Sequence, residues 1–300
     1  MPISEGLQRQ TGESVQTQRV QTEAKKLTFA RVQSPSSINT YKQCPRKYYY
    51  SYIEKIPGKP SIHLTRGKVV HSVLEHFFKI DISKLPEENF MFVLKVFIND
   101  MLDQYWRKSE REFNSLQLTK QQLEFYHIET KDMVNNWYAN FLRKLAIEMQ
   151  AYPIPFSFKR LTPKAEMEYK SQQYGVRGFI DAILEKDGEI ILMDYKTSKA
   201  PKMSPEYRLQ LALYAMMYHE THDRLPDKVG IDFLKFGEHM LDVNEELINH
   251  AKFESELIHI NTSTKKKEEY PMKPSALCKY STGQCDYYEQ CFGNARNQWG

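Results

Sequence analysis

Gly178-Phe-Ile-Asp181-Ala-Ile-Leu-Glu-Lys186-Asp187-Gly188-Glu-Ile190-Ile-Leu-Met193-Asp194-Tyr195-Lys196-Thr197 carries two apolar runs separated by Lys186-Asp187-Gly188. Asp-Gly between β-rich runs predicts a tight hairpin. Side chains alternate along a strand, so Asp194 and Lys196 point one way and Tyr195 the other. The hairpin brings Asp181 near Asp194, placing two carboxylates and an amine where the apolar runs end. An exposed Asp–Lys ion pair is the plain reading of any single Asp-x-Lys. Two neighbouring carboxylates, however, repel and raise each other's pKa unless a cation lies between them. Oxygen ligands of this kind suit Mg²⁺ or Mn²⁺. A lysine beside such an ion can orient an attacking water and neutralise charge on a phosphoryl oxygen.

The remaining composition sets bounds. With 300 residues, 41% of them hydrophobic and 13% aromatic, the chain can fill one large domain or two modest ones. A net charge of +4 means that any basic cleft for a polyanion must be local. No apolar run is long enough to span a bilayer and no signal-like N-terminus is present, which predicts a cytoplasmic protein with no membrane partner. Four cysteines are too few for a disulfide scaffold and point instead to a metal.

In chain order, residues 1–33 read as a flexible polar tail, with folding expected from Ser34. Ser36 is the expected N-cap of a helix carrying Ile38 and Tyr41, ended by Cys44-Pro45. Tyr48 to Tyr52 with Ile53, beside Arg46 and Lys47, reads as a core helix with a basic edge or as a base-stacking surface. Pro57, Gly58 and Pro60 mark a loop. Arg66 to Glu75 opens an amphipathic helix with Val70, Leu74 and Phe77 on its stripe. His71 lies beside that stripe, either as a satisfied polar group or as a ligand. Residues 86–150 read as mostly helical, with Phe90, Val93, Leu94, Phe97 and Leu102 on one helix and Trp137, Phe141 and Leu145 on another. Pro153 and Pro155 break the pattern. Pro163 to Lys170 alternates like a strand, with Glu166 and Glu168 on one face. Pro205 to His219 is a helix burying Leu209, Ala212, Leu213 and Met216, and Gln210 and Tyr214 are one turn apart on it. A strand over Val229–Phe236 and a helix over Asn244–Ile260 follow. Cys278, Cys285 and Cys291, with Cys44, make a set of four thiols that can hold zinc or a 4Fe-4S cluster.

Several of these stretches, in this order, resemble the PD-(D/E)xK nuclease superfamily. Ser34-x-Ser36-x-x-x-x-Tyr41-x-x-Cys44-Pro-Arg-Lys-Tyr, Gly67-x-x-x-His71, Gly178-x-x-Asp181, Asp194-Tyr-Lys196-Thr, Gln210-x-x-x-Tyr214 and the three late cysteines are similar to RecB/AddB-type nuclease domains and CRISPR-associated RecB-like exonucleases. The resemblance implies an α/β fold, a restriction-endonuclease-like core over 34–300 with a mixed sheet flanked by helices and a helical insertion at about 80–152. It implies Mg²⁺ or Mn²⁺ held by His71, Asp181, Asp194 and the Tyr195 carbonyl, with Glu166 accessory. It also implies that Lys196 positions the water, while Gln210 and Tyr214 contact substrate or order the site. Cys44, Cys278, Cys285 and Cys291 would hold a 4Fe-4S cluster, zinc being the alternative. The late spacing departs from the family, with six residues between Cys278 and Cys285 where two are common. The implied activity is exonucleolytic hydrolysis of single-stranded or free-ended DNA in repair, recombination or phage- or CRISPR-type processing, with a helicase or recombination protein as partner. The alternative is a non-catalytic DNA-binding module that keeps the fold.

Overall fold

The computed structural model describes residues 29–198, 200–280 and 283–293. Its centre is a mixed sheet of five strands: β1 (Lys164–Ser171), β2 (Val176–Lys186), β3 (Glu189–Lys196), β4 (Lys228–Phe233) and β5 (Gly237–Asp242), in that order across the sheet. β3 and β4 are parallel and the other neighbours antiparallel. A parallel pair needs a crossover. Here it contains α8 (Pro205–His222), capped by Ser204 and ended by Asp223 in the left-handed region. The predicted β2–β3 hairpin forms with Lys186 paired to Glu189. Asp187 and Gly188 have φ of 53° and 84°, the two positive angles that a tight two-residue turn requires.

Helices cover both faces, as expected of the α/β class. On one face, Ile180, Ile183, Leu192, Val229 and Ile231 pack against Leu209, Leu213 and Met216 of α8 and against α9 (Glu245–Asn261). Gly178 belongs to this face. A Cβ there would lie 3.3 Å from the side chains of Met217 and Tyr214 on α8 and of Pro35 on α1 (Pro35–Gln43), so both helices pack close to the sheet at this point. On the other side stands a helical layer over 90–160, where the sequence reading placed a helical insertion at about 80–152. It comprises α4 (Phe90–Lys108), α5 (Glu110–Asn114), α6 (Lys120–Glu148) and α7 (Ile154–Arg160), packed on α3 (Ile62–Phe77). Its core joins Val70, Leu74 and Phe77 to Leu94, Trp137, Phe141 and Phe158.

Several local readings change. The first helix is capped by Ser34 rather than Ser36, because Pro35 takes its first position and Ser37 closes a reciprocal capping box with Ser34. Ordered contact starts before Ser34. Gln33 is buried, bridges to Val176 and donates to Tyr48 and Thr262, while the Phe29 ring lies 4.1 Å from that of His259. Residues 1–28 of the expected tail lie outside the described residues. The tyrosine tract is core: α2 (Pro45–Tyr48) widens into a π-helical turn at Tyr49–Ile53, and Tyr48, Tyr49 and Tyr50 are buried with Tyr270 and Tyr287. Pro155 begins α7 instead of merely breaking a helix. The strand expected to reach Phe236 stops at Phe233, where the chain turns into β5, which the sequence reading had missed.

Candidate active site

The site lies where strand alternation fails. Val176, Ile180 and Ile183 all face the α8 side. Strict alternation would put 180 and 183 on opposite faces. The break falls at Asp181. Ala165 pairs with Ala182 and Met167 with Ile180, leaving Glu166 and Asp181 opposite one another and unpaired. Glu166 takes φ of 50°, a left-handed conformation that costs a non-glycine residue roughly 1–2 kcal/mol. Period two had placed Glu166 and Glu168 on one face. The twist separates them: Glu168 pairs with Lys170 at 2.9 Å, whereas Glu166 reaches 3.8 Å from His71.

His71 of α3 faces this break. Its Nδ1 lies 3.3 Å from Asp181 Oδ1, and its Nε2 lies 3.1 Å from the Tyr195 carbonyl oxygen. Asp181 Oδ2 accepts the Tyr195 amide at 2.7 Å. One donor atom from each of His71, Glu166 and Asp181 fits within 4.8 Å, the one such group of three among the described residues. Asp194 is held from the other side. Gln210 Nε2 donates to its Oδ1 at 2.7 Å and to the Tyr214 hydroxyl at 2.8 Å, and that hydroxyl donates to the same Oδ1 at 3.4 Å. Lys196 Nζ lies 2.6 Å from the buried Asp194 Oδ2 as an ion pair. Thus all the residues expected at the site, His71, Glu166, Asp181, Asp194, Tyr195, Lys196, Gln210 and Tyr214, meet in one place.

The electrostatics ask for positive charge. Burial disfavours a charged His71, but the Asp181 and Glu166 carboxylates overcome it and push the imidazole up to about 10. Burial pushes the Asp194 carboxyl up, with Lys196 pulling it down and Asp181 adding to the rise. Burial also works against the Lys196 charge, and Asp194 more than restores it. The His71 proton therefore sits where a cation would neutralise Asp181 and Glu166. One imidazole nitrogen, two carboxylates, a backbone carbonyl and the nearby Asp194 carboxylate form a hard, mostly oxygen donor set. That set fits a divalent ion such as Mg²⁺ or Mn²⁺.

The sequence reading missed what ties the helical insertion to this site. Arg66, one turn before His71 on α3, is buried and paired with Glu129 of α6, which also pairs with Lys235. The Leu234 amide donates to the Lys196 carbonyl, so this ion cluster borders the end of β3. Tyr195 points away from the carboxylates, into the core of the insertion. The four cysteines, none in a disulfide, line one cavity of about 360 Å³ together with Met272, Leu277, Tyr280 and Phe292. Burial, then the nearby Cys44 and Cys285, raise the Cys291 thiol. The thiols do not gather into a group within 4.8 Å of one another among the described residues.

A sheet with paired acidic residues and a lysine at the end of a β-hairpin, faced by a helical histidine, is a candidate divalent-metal centre. Residues 33–292 match the family model of the PD-(D/E)XK nuclease superfamily, and the chain belongs to it. It is 26% identical over 231 residues to the Gene 69 protein of Mycobacterium phage L5, covering 69% of this chain and 77% of that protein. It is 28% identical over 126 residues to the CRISPR-associated exonuclease Cas4 of Francisella tularensis subsp. novicida, covering 42% of this chain and 60% of Cas4. The crystal structure of a Eubacterium rectale protein superposes with a TM-score of 0.50 at 13% identity, covering 89% of this chain and 92% of that one. That likeness bears on the fold. No helix among the described residues is long and apolar enough to cross a membrane.

Proposed function

We propose that this protein is a Mg²⁺- or Mn²⁺-dependent deoxyribonuclease that hydrolyses single-stranded or free-ended DNA as an exonuclease. The observation that carries the proposal is the donor set of His71, Glu166 and Asp181 within 4.8 Å, beside the Asp194–Lys196 pair. His71, Glu166, Asp181, Asp194 and the Tyr195 carbonyl would hold the metal. When bound, a divalent ion lowers the pKa of water and stabilises charge on phosphoryl oxygens. Lys196, kept charged by Asp194, orients the attacking water and faces the developing negative charge. The water oxygen bonds to phosphorus as the opposite phosphorus–oxygen bond breaks. Gln210 and Tyr214 fix Asp194 through Oδ1, leaving Oδ2 toward Lys196. One of the similar proteins, Cas4, is itself described as an exonuclease, which favours digestion from ends.

Cys44, Cys278, Cys285 and Cys291 would hold a 4Fe-4S cluster, with zinc as the alternative. All four line the same cavity. A cluster would join α2 to the chain's last described helix, α10 (Tyr288–Phe292).

The test is digestion of end-labelled linear single strands and duplexes beside a covalently closed circle, with Mn²⁺ or Mg²⁺. Loss of linear DNA with the circle intact is the expected result. Cutting of the circle would make the enzyme an endonuclease. No metal-dependent cleavage by folded, cluster-loaded protein would favour a binding module.

A further inference from the structure

We propose that Gly67 is a substrate-positioning residue. The backbone of the bound single strand crosses α3 there, at the phosphodiester next to the one that is cut, and the Thr197 hydroxyl donates to that phosphate. The inference rests on the nuclease reading above and extends it to the path the strand takes away from the metal. Gly67 lies inside α3, five residues after its start. Glycine within a helix is less stable than alanine, and a left-handed φ or a close packing partner is the common reason for it. Gly67 has neither. Its φ lies outside the left-handed region. A Cβ built on it would meet one atom within 4 Å among the described residues, Thr197 Oγ1 at 3.9 Å, which is ordinary contact. The described part of the fold makes no use of the room that a missing side chain opens here.

The place of that room chooses the occupant. Residues three, four and seven apart share one row along a helix, so Leu64, Gly67 and His71 line up on α3. At the inner end of the row, His71 reaches Asp181 and the Tyr195 carbonyl. One turn further out, about 6 Å along the axis, Gly67 stands beside Thr197, just past the end of β3. The link to the metal donors therefore runs along α3 itself, through His71, and does not depend on which face of the sheet a strand residue takes. The row is open outward: Gly67 and Thr197 are half-buried, and Leu64 is 64% exposed. A strand with its scissile phosphate at the His71–Asp181 donors carries its next phosphodiester along this row, where a side chain at 67 would stand in its way. A hydroxyl contact to phosphate fixes the position of the strand without reading its bases.

The test uses the full chain with a fluorescent oligothymidylate, binding being read by anisotropy in Ca²⁺ and cleavage in Mn²⁺. Gly67→Ala should raise the melting temperature by about 1–4 °C through helix propensity alone. Gly67→Leu should melt no lower than wild type and bind Mn²⁺ within about twofold of it by calorimetry, yet bind the oligonucleotide about 5- to 150-fold more weakly, the scale of an overpacked contact. Thr197→Val, which keeps the shape, removes the hydroxyl and leaves α3 untouched, should weaken that binding about tenfold. Unchanged oligonucleotide binding in Gly67→Leu and Thr197→Val, while wild type cleaves, would overturn the inference and leave the nuclease reading standing. Loss of Mn²⁺ affinity in Gly67→Leu would overturn it too, since Gly67 would then act on His71 and not on the strand. No cleavage by wild type would overturn both.

Discussion

Asp232 offers a quantitative test of how the sheet is packed beneath the site. It sits on β4 opposite Tyr195, is 2% exposed, and its Oδ1 has no hydrogen-bond partner. It borders a small cavity of about 70 Å³ shared with Trp137, Phe141 and Tyr195. Burial raises it, and Glu238, its cross-strand partner, adds to the rise, while Lys144 pulls it back, for a net value of about 7. A carboxyl raised in this way costs the folded state nothing below the unfolded value of 3.8, where both states carry the proton. The cost grows as the pH rises from there to about 7 and is constant above. At about 1.36 kcal/mol per unit, a shift of roughly three units gives a ceiling of about 4 kcal/mol above neutrality. At about pH 5 the same arithmetic gives under about 2 kcal/mol. Asp232→Asn should therefore gain stability relative to wild type by about 2–3 kcal/mol between pH 5 and pH 8. Urea unfolding at the two pH values measures this, and taking the difference cancels any fixed cost of the amide. A difference between variant and wild type that does not move with pH would refute the reasoning.

Other predictions concern the site and its supports. Gln210→Ala removes a hydrogen bond from Asp194 Oδ1 and should cost about 10–100-fold in Mn²⁺ affinity or cleavage, read by calorimetry and by kcat/KM. Glu166→Gln should weaken Mn²⁺ binding while leaving the melting temperature near wild type. Leu94→Ala, fully buried in the insertion, should destabilise by about 2.7–5 kcal/mol by denaturant titration. Cys291→Ala should abolish bound metal, with iron and acid-labile sulfide in anaerobically purified wild type. Zinc in their place would refute the cluster.

The hairpin was legible because Asp187-Gly188 admits few alternatives and the flanking runs have strand character. Asp194, Lys196 and Tyr195 fell as alternation requires. Gln210 and Tyr214 are one helical turn apart, so their convergence on Asp194 follows once α8 packs on the sheet. Glu166 was harder, because its approach to His71 depends on a left-handed residue inside a strand, and periodicity cannot anticipate that. The tyrosine tract read equally well as surface or core. Its burial is decided by Tyr270 and Tyr287, more than two hundred residues away. Nothing in the sequence pattern sets Glu129 apart, and only the tertiary fold brings Arg66 and Lys235 to it.

The central claim is that Asp181, Asp194 and Lys196, at the end of the hairpin, carry out metal-dependent cleavage. The most direct measurement compares wild type with Lys196→Ala on an end-labelled single strand in Mn²⁺, with folding checked by circular dichroism. The account predicts cleavage by wild type and at least a hundredfold loss in a variant that is still folded and still binds Mn²⁺ (about the scale for removing one preorganised charge-stabilising donor). Equal cleavage by the two proteins would place the chemistry elsewhere and contradict it.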